Sequence, residues 1–204
     1  MGREALIEYA VGRERAHVRA HLDSFALELS GGKKLRLPLS EVKTATVEGD
    51  LLRVTAGDAR FTLRLGAKEA ASWAKKILHP PTLADKLGVK SGLTIALVGE
   101  RIAEIDAAVA AAANVKHAAA PTTSNLATAD IAAVTLSPAR AEKQIAAAAK
   151  KIGAKTALWL VYRKGIRPNG DDIIRFARAA GLKDTKVSRI SETHAALRFI
   201  RAKG

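Results

Sequence analysis

The chain has no cysteine. That absence removes disulfide bridges, thiolate metal ligands and a thiol nucleophile together, although it does not fix the compartment. Aromatic residues are few, with two Trp, two Tyr and four Phe, so platforms for stacking nucleic-acid bases are scarce. No stretch approaches the roughly 20 consecutive apolar residues of a membrane-spanning helix. The Ala-rich run near 107–113 is too short and too weakly apolar, and Glu8 interrupts the early run ALIEYAV, so it does not read as a signal peptide. A soluble cytoplasmic protein is the expectation. The sequence also lacks G-x-G-x-x-G, G-x-x-x-x-G-K-[ST] and G-x-S-x-G. It shows no helix-turn-helix, RNA-recognition or zinc-finger signature either.

Positive charge is present in excess. Thirty-four Lys and Arg face twenty Asp and Glu, a net charge of +14. Residues 1–80 carry fourteen basic against ten acidic side chains, and residues 81–204 carry twenty against ten, so the surpluses are +4 and +10. Such a surplus attracts polyanions without specifying which.

The pattern changes along the chain. ALIEYAV, AHVRAHL, FALELS, KLRLPL, KTATVE, LLRVTA and ARFTLRL are short runs, most of them alternating apolar with polar residues, separated by glycine- and aspartate-bearing turns. AKEAASWAKKIL then sets Ala70, Trp73, Ala74 and Ile77 at helical spacing. Seven antiparallel strands followed by a helix resembles, in order alone, a pleckstrin-homology-like barrel. A generic small barrel or roll fits the same order. Arg13 and Arg15 occupy the first turn, where lipid-binding members of that superfamily keep basic residues, but Glu14 between them nearly balances the local charge. His17 and His21 share one face of a strand and do not make a metal site, which needs three or four ligands.

His79-Pro80-Pro81 ends the helix. Thr82 and Asp85 form the pattern of a capping box, with Gly88 closing a short helical turn. The expected division is a β-barrel domain over 1–79, a linker with a short helix over 80–91, and an α/β domain over 92–204. In the last of these, LTIALV, DIAAVTL and TALWLVYRKG are continuous apolar runs, as in strands covered on both faces. VKHAA is a weak strand and PTTSNLAT a polar loop. ERIAEIDAAVAAAA, SPARAEKQIAAAAKKIG and GDDIIRFARAAGL are helical, the second with Ser137 as N-cap and Pro138 at its first position. KVSRIS and HAALRFIR, joined by Glu192-Thr193, must pair antiparallel. His194 and Arg198 are then expected on a solvated sheet edge. Alternating strand and helix implies a mostly parallel, Rossmann-like sheet, and the closing hairpin resembles the methyltransferase variant.

LADKLGVKSGLTIAL, TALWLVYRKG and VSRISETHAALRFIR carry a closer resemblance. Over residues 82–204 the chain is similar to an uncharacterised bacterial family with a degenerate methyltransferase-like Rossmann domain. That resemblance implies no known activity, and His194 stands where the family's closing segment leads one to expect tryptophan.

In such sheets ligands sit beyond the carboxyl ends of the strands. Those ends supply Gly99, Glu100 and Arg101, then Ser137 and Arg140, then Tyr162, Arg163, Lys164 and Arg167. After the first strand only one glycine is present, and Glu100 would repel a pyrophosphate. His117 lies where an S-adenosylmethionine enzyme keeps its ribose-binding acid. YRKGIRPNG suits a phosphate or a stacked base. The favoured reading is a non-enzymatic module, with no cofactor and no metal, that binds an anionic ligand or a protein partner. The alternatives are nucleic-acid binding through the basic C-terminal domain and a divergent S-adenosylmethionine-dependent methyltransferase.

Overall fold

The computed structural model describes residues 3–112 and 114–202. Contacts divide the chain into two units, Met1–Pro81 and Thr82–Gly204.

The first unit has seven strands: β1 (Arg3–Val11), β2 (Glu14–Leu22), β3 (Ala26–Gly31), β4 (Leu35–Pro38), β5 (Val42–Glu48), β6 (Leu51–Ala56) and β7 (Ala59–Arg64). All pair antiparallel, in the order β4-β3-β2-β1-β7-β6-β5. Period-2 alternation sends Ile7, Tyr9, Val18, Leu27, Leu52, Val54, Phe61 and Leu63 into one core. Helix α1 (Ala67–Leu78) covers that core with Ala70, Trp73, Ala74 and Ile77, the four residues whose spacing announces it. Leu37 of β4 and Ala45 of β5, from the two outermost strands, reach the same core, so the sheet rolls round it. No ladder joins β4 to β5 among the described residues. The unit is therefore a roll open at that seam, the second of the two forms, barrel or roll, that the sequence allowed. The reason is local: β4 is four residues long and ends at Pro38, which has no amide hydrogen to donate.

In the second unit, α2 (Leu83–Leu87) starts with the expected capping box between Thr82 and Asp85 and ends at Gly88 in the left-handed region. Leu87 is buried, and Leu83 and Val89 pack beside it in the unit's core. Much of the expected linker thus belongs to the α/β unit. Strands β8 (Thr94–Val98), β9 (Asn114–Ala118), β10 (Ile131–Thr135), β11 (Ala157–Arg163), β12 (Leu182–Arg189) and β13 (His194–Arg201) form the sheet β12-β13-β11-β10-β8-β9. The first four run parallel, and β13 is antiparallel to both neighbours. Alternate residues feed two cores. Val98, Ala132, Leu158 and Leu160 meet α5 (Ala141–Lys151) and α6 (Gly170–Ala179) on one face. Ile95, Leu97, Trp159 and Val161 meet α2 and α3 (Ala103–Val109) on the other.

Three details depart from the sequence reading. The polar segment PTTSNLAT contains a short helix, α4 (Thr123–Leu126), anchored by the fully buried Leu126. Strand β12 begins at Leu182, four residues earlier than KVSRIS suggests. Strand β13 is not an edge: it inserts between β11 and β12, so His194 and Arg198 lie inside the sheet and β12 is the edge. No helix among the described residues is long and apolar enough to cross a membrane.

Candidate functional site

Strand β8 has β9 on one side and β10 on the other, so the crevice beyond its carboxyl end is the topological switch point of the sheet. It is tightly packed. Gly99 has φ +92°, and a Cβ there would stand 2.7 Å from the Thr135 carbonyl oxygen at the end of β10. Its amide donates to the Ala118 carbonyl at 2.9 Å, on the β9 side. Arg101 folds onto Asp106 of α3 at 3.0 Å, and Ile102 is buried. The cavity left among these residues is about 10 Å³, room for about one water molecule.

S-adenosylmethionine would need this crevice, a glycine-rich turn and an acid at the end of the next strand. The crevice holds a single glycine, and β9 ends in His117 and Ala118. Glu100 is exposed at the rim of the crevice. The residues present do not fit that cofactor.

A second concavity, of about 420 Å³, lies beyond β10 and β11, where the 3-10 turn Pro138–Arg140 and the starts of α5 and α6 meet. Arg140, Lys143, Arg167 and Arg175 face it, against Glu142 and Asp172. Asp172 is engaged on both oxygens: Arg167 lies 3.1 Å from one and Arg175 lies 2.9 Å from the other. It also completes the α6 capping box with Asn169. Arg140 and Lys143 have no ion-pair partner among the described residues, which leaves the groove with uncompensated positive charge.

Of the residues the sequence singled out, Arg140 and Arg167 come together here. The others do not. Ser137 borders the turn, but its side chain caps nothing, and its amide is satisfied by Gln144 Oε1 at 2.8 Å. Tyr162 is half-buried beneath Gly170, where a Cβ would come within 3.0 Å of its hydroxyl. Burial, and then the Asp171 carboxylate, push its pKa up. Part of its ring packs against the core beneath α6. Arg163 is exposed opposite His194 in the β11–β13 ladder. Lys164 ties the end of β11 to the closing turn, its amide donating to Thr193 O at 2.8 Å and its Nζ to Ser191 O at 3.1 Å. Lys143 and Arg175 were missed. Lys143 stands three residues after Arg140, a spacing that places side chains together on a helix start, whereas Arg175 arrives only through the packing of α6 on α5. His21 lies 4.0 Å from Glu28, and no cluster of metal-ligating side chains occurs among the described residues.

No family model and no curated protein matches the chain. Solved structures do. A TehB-like S-adenosylmethionine-dependent methyltransferase from Corynebacterium glutamicum aligns at 11% identity, over 66% of this chain and 96% of that one, with a TM-score of 0.39. A precorrin-6y C5,15-methyltransferase from Geobacter metallireducens aligns at 11% identity, over 58% and 84%, with a TM-score of 0.40. Magnesium protoporphyrin IX methyltransferase from Synechocystis, with bound S-adenosylmethionine, aligns at 11% identity, over 58% and 74%, with a TM-score of 0.42. The likeness is one of chain course, and no residue role comes with it.

Proposed function

We propose that the protein is a non-enzymatic binding module for a small anionic ligand, built on a methyltransferase-like α/β scaffold whose cofactor crevice is filled by packing. The observation that carries this reading is the groove between α5 and α6. There Arg140 and Lys143 stand without ion-pair partners beside Arg167 and Arg175. Guanidinium groups grip phosphate or carboxylate through paired hydrogen bonds, and a lysine adds a mobile point charge. A phosphate-bearing ligand suits the set best. Titration calorimetry of the full chain with pyrophosphate tests it: the parent binds, and Arg140→Ala with Lys143→Ala abolishes the heat. Unchanged binding in that variant would remove the groove from consideration.

The second reading, a divergent S-adenosylmethionine-dependent methyltransferase, is favoured by the strand order, with an antiparallel last strand inserted beside β11. Calorimetry with S-adenosylmethionine separates the two, because saturable micromolar binding requires the crevice at Gly99 to open. For the first unit, the order β4-β3-β2-β1-β7-β6-β5 followed by α1 supports a pleckstrin-homology-like assignment, which an experimental structure with the β4–β5 seam in view would test.

A further inference from the structure

The solvent side of the first unit's sheet carries a groove of about 800 Å³. Alternation along the strands builds it. Strand β7 buries Phe61 and Leu63 and turns Arg60, Thr62 and Arg64 outward. Strand β6 buries Leu52 and Val54 and turns Arg53 and Thr55 outward. The ladders set Thr62 opposite Arg53, Arg60 opposite Thr55, and Thr55 opposite Thr44. Arg15 of β2 and Lys43 of β5 complete the lining, in which Glu8 is the one carboxylate.

Some of this charge is already engaged. Glu8 is shared between Arg15 at 3.4 Å and Arg64 at 3.6 Å. Arg64 also pairs with Asp50 at 2.9 Å, and Arg53 with Glu48 at 2.8 Å. These pairs are solvent-exposed and therefore weak, so an incoming anion can exchange with them. Lys43 and Arg60 have no ion pair among the described residues.

The spacing suits an extended polyanion. At about 3.3 Å per residue, Arg60 and Arg64 lie about 13 Å apart along β7, with Arg53 between them on the next strand. A single phosphate can bridge two neighbouring arginines of this row, whereas an extended chain of phosphates engages all three at once. The threonine hydroxyls between them are donors of the kind that contact phosphate and sugar oxygens. The one aromatic side chain at the groove, Phe61, points into the core, so bases would not be stacked or read.

We propose that this face binds the sugar–phosphate backbone of a nucleic-acid strand without sequence preference. The inference is independent of the α5/α6 groove. It is tested by fluorescence anisotropy of the full chain with labelled oligothymidine and a mixed-sequence oligomer across a salt series. Arg53→Ala with Arg60→Ala should weaken both by about tenfold at low salt and flatten the plot of log affinity against log salt by about 1.4, roughly 0.7 for each lost contact to a single strand. Both side chains are exposed, and circular dichroism verifies the fold. Lys90→Ala with Lys155→Ala, exposed in the second unit, should leave affinity within about twofold. No binding by the parent at low salt overturns the proposal. So does an unchanged slope in the Arg53/Arg60 variant, equal loss in the Lys90/Lys155 control, or binding to phosphoinositide vesicles but not to either oligomer.

Discussion

Replacing Gly99 by alanine tests the physical basis for excluding the cofactor. Two costs add. An L-residue forced to positive φ pays about 1–2 kcal/mol, and Gly99 sits at φ +92°. The new methyl would also stand 2.7 Å from a backbone oxygen of Thr135. That backbone cannot yield freely, because Thr135 pairs with Val161 in the β10–β11 ladder and the next amide, Leu136, donates to Val161 O at 2.8 Å. Overpacking a site that cannot relax costs about 1–3 kcal/mol, so the sum is about 2–5 kcal/mol. With a urea slope of about 2 kcal/mol per molar, the midpoint should fall by about 1–2.5 M. Each unit has one tryptophan, Trp73 and Trp159, so Trp159 fluorescence in a Trp73→Phe background reports the α/β unit alone. Gly92→Ala is the matched comparison. Its φ is +85°, but nothing lies within 4 Å of a Cβ there, so it should lose only the dihedral cost. If Gly99→Ala costs no more than Gly92→Ala, the loop does not rest on β10. The crevice is then roomier than described, and the objection to S-adenosylmethionine falls.

Other outcomes follow from single contacts. Asn169→Ala removes the α6 capping box, in which the Asn169 side chain accepts from the Asp172 amide at 3.0 Å, and should cost about 1 kcal/mol by urea unfolding. Trp159→Phe leaves the Leu87 carbonyl without the indole donor now 3.2 Å away in the core, a loss of about 1–3 kcal/mol before any packing defect, followed by circular dichroism. Trp73→Phe should cost less, because its acceptor is the part-exposed Glu69 carboxylate, which can turn to water. Tyr162 supplies a pH signature. Its folded pKa is raised above the ordinary value near 10 by burial and then by Asp171, so the folded chain keeps a proton that the unfolded chain loses. That contribution is complete below pH 10 and declines as pH climbs from there through the raised value. Tyr162→Phe should abolish this alkaline decline in urea midpoint, and an unchanged decline would assign it to another group.

What could be read ahead of the structure was local. The α1 stripe, the Thr82 and Asp85 box and the seven alternating strands are set by neighbours within a few residues, and they form where the pattern places them. The insertion of β13 between β11 and β12 is a long-range pairing, yet its trace was present. Ala195, Ala196, Leu197 and Phe199 are buried nearly in succession, as in a strand covered on both faces. Strand β12, with Lys183, Asp184 and Lys186, carries the charges of an edge. The same distinction governs the candidate sites. Arg140 and Lys143 are neighbours by helical spacing, but Arg175 joins them only because α6 packs on α5. In the first unit, Arg53, Arg60 and Arg64 share a groove only because β6 and β7 pair in a particular register. Net charge by segment conceals this, since a surplus of +4 over residues 1–80 looks unremarkable. Alternation sorts side chains by face before charge is summed. On the solvent face of β1, β2, β5, β6 and β7 five cations meet one lining carboxylate, while apolar residues fill the other face. An electrostatic reading of a β-sheet therefore has to be made face by face, and here it brings out a cationic face on the less basic unit that the segment totals conceal.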